Sequence, residues 1–300
     1  MKAAGGYEEP PRGNAASMTL NVASPAPTTA IAGAMPVQRR YLMCPPTYFA
    51  VRYSINPWMH PAESVDVLHA IAQWQQLHDT LVGLGHRVDV MPADPDLPDM
   101  VFTANGGIVI GDRGLVPRFR HAERDGESAH FARSIKDLGV TEVRQARFVN
   151  EGEGDFLLTG DRILAGTGPR SDPRAVEEVE EYFGRPVLAL QLVDARFYHL
   201  DTALARLDEE TVVYWPGAFA PTSQDVLHEL FPDAVLASEQ EAAALALNMV
   251  SDGSTVIMTT ECDPLADRVV DRGFAVHRLS TSELRKAGGG AKCCVLELHA

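Results

Sequence analysis

Two spacings of apolar residues alternate along the chain. Val67, Leu68, Ile71, Trp74, Leu77, Leu81 and Leu84 recur at near-helical intervals between residues 64 and 84, which predicts an amphipathic helix stopped at Gly85. His86 to Met91 then alternates as a strand does. The same order of helix, break and strand recurs four times: Glu127 to Leu138 before Gly139 and Val140–Val143; Asp172-Pro173 to Gly184 before Pro186–Leu190; Thr222 to Phe231 before Pro232 and Ala234–Leu236; Asp263-Pro264 to Gly273 before Phe274–His277. The breaks at 85, 139, 184, 232 and 273 lie 54, 45, 48 and 41 residues apart.

Between these units lie hairpin-like pairs, at Gly106–Val116, Phe156–Leu164, Ala203–Tyr214 and Met249–Met258, each turning on Gly, Asp or Glu. A fifth pair is available only between the two ends, Arg40–Cys44 and Cys293–Leu298. This predicts an α/β fold of five strand-strand-helix-strand modules closed in a ring, a five-bladed α/β propeller. An open doubly wound sheet is the plainer alternative. Residues 39–300 are expected to form this single domain. Residues 1–38, with four charges and much Ala, Pro, Gly, Ser and Thr, are expected to be a disordered low-complexity tail.

Charge narrows the partners. With 26 basic against 41 acidic side chains the net charge is −15, which disfavours nucleic acid and anionic membrane as partners. No apolar run is long enough to span a bilayer. Four cysteines without a CxxC pair suit a reducing cytoplasm and give no reason to expect a metal site. The dinucleotide, P-loop, nucleophile-elbow and zinc-protease motifs are all absent from the sequence.

The remaining candidates are polar residues at the ends of expected strands. Gly288-Gly289-Gly290-Ala291-Lys292-Cys293-Cys294 sets a thiol where a glycine loop meets a strand; backbone can approach a ligand there and N–H groups can favour thiolate. A core cysteine is the plain alternative, and Cys294 is expected on the opposite strand face. His199-Leu200-Asp201 places an imidazole and an acid on one strand face, so that the acid can orient the base, although surface pairs of this kind are common. Glu151-Gly152-Glu153-Gly154-Asp155 packs three carboxylates into a turn, which is either solvated or built around a cationic ligand such as a guanidinium. Asp99 to Asn105 is expected to enter a strand. Asn56 and Asn105 read equally well as turn formers or as ligands. Arg124 and Arg170 lie in loops preceding helices, where each can grip a carboxylate.

Taken in order, Pro98-Asp99-x-Val101-Phe102, the acid-Gly-x-Gly-Asp155 turn, His199-x-Asp201 and Gly289-Gly290-x-x-Cys293 resemble the guanidino-group-modifying pentein superfamily, in the branch holding dimethylarginine dimethylaminohydrolase and bacterial arginine dihydrolase. The resemblance covers roughly residues 39–300 and implies the five-bladed propeller. It implies that Cys293 attacks the guanidinium carbon to give a covalent thiouronium and that His199 is the acid/base. Glu151 would hold His199 and the guanidinium, Asp201 would help clamp the guanidinium, and Arg124 and Arg170 would bind the substrate α-carboxylate. Asn56, Asp99 and Asp155 complete the implied binding set. The family's acid usually stands three residues before Asp155, where this chain has Gly152, so Glu151 or Glu153 must fill the role. Dimethylarginine hydrolases and arginine deiminases carry an acid where Asn105 stands, whereas arginine dihydrolases carry asparagine there. The expected activity is therefore arginine dihydrolysis to ornithine, carbon dioxide and two ammonia molecules, without metal or organic cofactor. The partner is a small guanidino substrate, and a homo-oligomer is left open. The alternatives are a hydrolase giving citrulline from arginine or methylarginine, an amidinotransferase, and a non-catalytic arginine-binding module.

Overall fold

The computed structural model describes residues 37–300, so the expected low-complexity tail lies, up to residue 36, outside the described residues. In chain order come β1 (Arg40–Met43), α1 (Val67–Gly83) and β2 (Arg87–Val90). They are followed by β3 (Ile108–Ile110), β4 (Arg113–Val116), α2 (Glu127–Asp137) and β5 (Glu142–Gln145). Next are β6 (Phe156–Thr159), β7 (Arg162–Thr167), α3 (Arg174–Phe183) and β8 (Val187–Gln191), and then β9 (Leu204–Arg206), β10 (Val212–Tyr214), α4 (Pro221–Leu230) and β11 (Val235–Leu236). After a short helix α5 (Glu239–Ala243) come β12 (Val250–Ser251), β13 (Thr255–Thr259), α6 (Asp263–Asp271) and β14 (Ala275–Leu279). The chain closes with α7 (Ser282–Arg285) and β15 (Leu296–His299).

Local chemistry explains these boundaries. The Asp66 side chain accepts the His69 N–H at 3.0 Å and caps α1, whose Ala70, Trp74, Leu77 and Leu81 are buried along one face. Pro221 and Pro264 open α4 and α6 at positions where no backbone donor is needed. Asp172 accepts the Arg174 N–H at 2.9 Å at the start of α3.

One pairing rule repeats. In β3/β4, β6/β7, β9/β10 and β12/β13 the strands are antiparallel, and the helix then crosses over so that β5, β8, β11 and β14 lie parallel to the second strand. The chain ends supply the fifth unit, as expected: β1 pairs antiparallel with β15 through Tyr41↔Glu297 and Leu42↔Leu296, and parallel with β2. Alternation alone does not foretell that β15 also pairs parallel with β3, through Leu298↔Val109 and His299↔Ile110, so that two units share one six-stranded sheet. Leu42, Met100, Val109, Val116, Phe131, Ile135 and Leu296 form one apolar cluster across that seam. Fully burying each such large side chain contributes about 1.5–3 kcal/mol.

Two expected strands differ. The strand after α2 is Glu142–Gln145 rather than Val140–Val143, because Val140 is buried in the cluster beneath α2 and pairing starts where the Glu142 N–H meets the Asp112 carbonyl. Asp99 to Asn105 leads, as expected, into a strand, β3, and is itself built of two tight turns. Pro98, without a donor, begins a tight turn closed by Phe102 N–H to the Asp99 carbonyl, and a second follows through Asn105 N–H to the Phe102 carbonyl. Cys293 and Cys294 likewise sit in a turn, Lys292–Cys294, so the opposite-face argument for Cys294 does not apply; it is buried in an apolar cluster with Tyr41 and Met43. Among the described residues no helix is long and apolar enough to cross a membrane, and no three His, Cys, Asp or Glu side chains group as metal ligands would.

Candidate active site

The site is made by turns that lead into the first strands of the repeated units. Asn105 precedes β3, Glu151 to Asp155 precede β6, His199 to Thr202 precede β9, Asn248 precedes β12 and Cys293 precedes β15. Two glycines permit their convergence. Gly152 has φ +57°, and a Cβ there would stand 2.6 Å from the Gly107 backbone N and O, so no side chain fits at this position, and the carboxylate that reaches His199 is that of Glu151. A Cβ at Gly154 would stand 2.3 Å from Asn105 Nδ2 and 2.9 Å from His199 Nδ1.

Glu151 is the buried centre of the charge network. Its Oε2 lies 3.0 Å from His199 Nε2, while Arg170 Nη1 reaches its Oε1 and Oε2 at 2.8 and 2.7 Å and Arg124 Nη1 reaches Oε2 at 3.4 Å. Burial favours the neutral acid, but Arg170 and then His199 overcome it and hold the Glu151 carboxyl well below the usual carboxylate range. Asp155 Oδ2 accepts the Glu151 N–H at 2.7 Å, and its Oδ1 is 4.0 Å from His199 Nε2. Burial pushes Asp155 up to about 6. Asn105 donates from Nδ2 to the Glu151 carbonyl at 3.3 Å, lies 3.5 Å from His199 Nδ1, and accepts Arg124 Nη1 on Oδ1 at 3.0 Å.

The thiol lies on the other side. Cys293 is 2% exposed; its Sγ is 3.3 Å from Asp201 Oδ2 and accepts Asn248 Nδ2 at 3.1 Å, while Asn248 Oδ1 accepts the Cys293 and Gly290 N–H groups. Burial, followed by the Asp201 charge, pushes the thiol well above its ordinary pKa. Burial also raises Asp201 to about 6, against the opposing pull of Lys292. His199 and Asp201 occupy a turn rather than a strand face and serve different partners, so the acid that orients the imidazole is Glu151. Glu153 faces away, toward Lys292 and His299.

Between these groups is a narrow cavity, with about 10 Å³ of free space, lined by Asn56, Asp99, Asn105, Arg124, Arg170 and Cys293, with Ile55, Met59 and Phe102 as its apolar wall. Asn56 both accepts the Trp58 N–H and donates to the Ala287 carbonyl at 3.0 Å. Asp99 accepts the Tyr53 hydroxyl at 2.9 Å. The second carboxylate oxygens of Asp99, Asp155 and Asp201 are buried without a hydrogen-bond partner, which suits a ligand with several N–H donors.

All ten candidate residues thus meet in one place, six on the cavity wall and Glu151, Asp155, His199 and Asp201 bonded directly behind them or beside the thiol. Both arginines do grip carboxylates, but those of the protein: Arg124 makes a two-pronged pair with Glu127 at 2.8 Å and Arg170 pairs with Glu151. Sequence reading misses Glu127, Asn248 and Tyr198, whose ring lies 4.7 Å beneath the Arg170 guanidinium. Asn248 alone left a signal, a polar residue inside the apolar run Leu245 to Val250.

The thiol beside Asp201, the glutamate-held imidazole and the polar cavity between them are those of a cysteine-dependent hydrolase of guanidino carbon–nitrogen bonds. The chain belongs to the family described as N,N dimethylarginine dimethylhydrolase, eukaryotic, whose model matches residues 54–300. It is 48% identical to the N(G),N(G)-dimethylarginine dimethylaminohydrolase of Mycobacterium tuberculosis (strain ATCC 25618 / H37Rv) over 88% of this chain and 87% of that one. It is 38% identical to the bifunctional arginine dihydrolase/ornithine cyclodeaminase AgrE of Nostoc sp. (strain PCC 7120) over 86% of this chain, spanning only 38% of that longer protein. Among solved structures, the product-bound N-terminal domain of ArgZ, a cyanobacterial arginine dihydrolase, superposes with a TM-score of 0.83 at 34% identity, covering 87% of this chain and 98% of that one. The α/β fold matches these relatives.

Proposed function

We propose that the protein hydrolyses arginine twice, to ornithine, carbon dioxide and two ammonia molecules, through a covalent adduct on Cys293. The observation that carries this reading is the amide of Asn105 between Arg124 and His199. A carboxylate there would clamp a guanidinium and hold the product of the first hydrolysis less readily for a second; an amide can pair with a charged guanidinium or a neutral ureido group alike. Arginine enters with its guanidinium toward Asp201, Asp99 and Asp155, and its positive charge offsets the carboxylates that keep Cys293 protonated. Cys293 releases its proton to solvent as the cation binds, and the thiolate attacks the guanidinium carbon. His199, oriented by Glu151, gives its proton to the departing nitrogen, which leaves as ammonia, and next takes a proton from the water that attacks the thiouronium. That step regenerates the thiol and leaves a ureido group. A second hydrolysis at the same carbon releases the other ammonia and a carbamate, which loses carbon dioxide to give ornithine. Arg124 and Arg170 would meet the substrate α-carboxylate by exchanging it for part of their present pairing.

A second reading is hydrolysis of dimethylarginine to citrulline and dimethylamine. The 48% identity to the mycobacterial enzyme favours it, and Ile55, Met59 and Phe102 offer apolar surface for methyl groups. Incubation with arginine and, separately, with dimethylarginine, quantifying ornithine, citrulline, ammonia and dimethylamine, separates the two. Ornithine with two equivalents of ammonia and no free citrulline is the expected result, abolished in Cys293→Ala; citrulline from dimethylarginine alone would overturn it. We further propose that the five units close as a ring around this site within one domain of residues 39–300. The β1–β15 pairing and the convergence of one turn from each unit support that closure.

A further inference from the structure

A second, small cavity, with about 30 Å³ of free space, lies on the far side of Asp201 from the substrate cavity; Asp201, Glu153, Lys292, Glu297 and His299 are among its lining residues. Lys292, Glu153, His299 and Glu297 form a continuous buried network. Lys292 Nζ donates to Glu153 Oε2 at 2.8 Å and to the Val295 carbonyl at 3.1 Å. Glu153 Oε1 lies 2.8 Å from His299 Nε2, and Glu153 Oε2 also accepts the Glu297 N–H at 3.0 Å. His299 Nδ1 is 3.3 Å from Glu297 Oε1, and Glu297 in turn pairs with Arg39 and with Arg206 at 3.8 Å. Glu153, Lys292, Glu297 and His299 are not themselves on the wall of the substrate cavity. Buried charges are costly unless they are paired, so a lysine and a glutamate kept here call for a use.

Lys292 immediately precedes Cys293, lines the second cavity together with Asp201, and is the leading positive charge acting on that carboxylate, which lies 3.3 Å from Cys293 Sγ. The other groups near that carboxylate are Asn248, Glu153, Tyr198, Cys294 and the Cys293 thiol itself. Asp201 Oδ1, unpartnered and buried, also belongs to this boundary between the two cavities.

We propose that Lys292, anchored by Glu153 and His299 in this second chamber, is a positioning residue that sets the charge of the Asp201–Cys293 pair from behind. The inference rests on Cys293 as the nucleophile. With the lysine present, Asp201 is kept ionised to receive a guanidinium cation and the thiolate forms more readily. Without it, both groups hold their protons to higher pH.

The test is the pH dependence of Cys293 alkylation by iodoacetamide, followed by peptide mass spectrometry, together with the pH dependence of kcat/KM for arginine. Lys292→Met is expected to move the alkylation midpoint and the acid limb of kcat/KM upward by about one pH unit, and Lys292→Arg to restore both. His299→Gln, which keeps a hydrogen bond to Glu153 but removes its positive charge, is expected to move them in the same direction by less, and serves if Lys292→Met fails to fold. Folded Lys292→Met and His299→Gln proteins whose two profiles superpose on wild type would overturn the inference. A Cys293→Ala enzyme that keeps its turnover would instead overturn the nucleophile on which it rests.

Discussion

At the scale of single residues, the site depends on contacts too close for any added atom. Gly154→Ala would push Asn105 and His199 apart, and displacements of about 1 Å at reacting groups cost on the order of 100-fold. Loss of kcat of that order, with the protein still folded by circular dichroism, is the expected result. Asp201 titrates at about 6 because burial opposes its charge. On the proposal that Asp201 meets the guanidinium, KM for a cationic guanidino substrate should be flat above pH 7 and rise below pH 6 as this carboxylate becomes neutral, which steady-state kinetics at several pH values will show. The residue types were legible in sequence because guanidinium chemistry needs a thiol, an imidazole and several acids. Their partners were not. His199 and Asp201 are two positions apart yet face Glu151 and Cys293 respectively, since a tight turn does not keep the alternation of a strand.

At the scale of elements, helices were read within a few residues because their breaks are chemical: a glycine or proline ends each of the five long ones. Strands after helices were less legible. Val140 looks like a strand residue by β-branching, yet it fills the core under α2, and pairing waits until Glu142. Helix α2 also has a second task unseen in its pattern. Its first residue, Glu127, is buried and holds Arg124 in a two-pronged pair, and that carboxylate keeps the guanidinium charged against burial. Glu127→Ala would leave a buried cation half-paired beside the cavity. A loss of about 3–5 kcal/mol in denaturant unfolding is expected, along with weaker substrate binding as Arg124 shifts.

At the scale of the whole molecule, the repeat and the pairing of the two ends were visible in the spacing of breaks, whereas the β15–β3 contact was not, because it involves two residues with no pattern of their own. His299 joins that seam to the buried charges. Against burial, Glu297 and then Glu153 hold its imidazolium up to about 9, above the ordinary histidine value near 6.5. The stability it contributes is thus full below about pH 6.5 and lost as pH rises through about 9. Thermal midpoints should fall between pH 7 and 10, and His299→Gln should flatten that slope. The antiparallel pairing of β1 with β15 has a mechanical side as well. Arg40 begins one strand beside the end of the other, near Leu298, so a force applied at residues 39 and 300 loads their hydrogen bonds one after another rather than all together. The seam would open like a zipper at low force, carrying the segment that bears Cys293 out of register before any of the four other hairpins yields. A cellular unfolding machine pulling on either end would silence this enzyme well before it unravelled it.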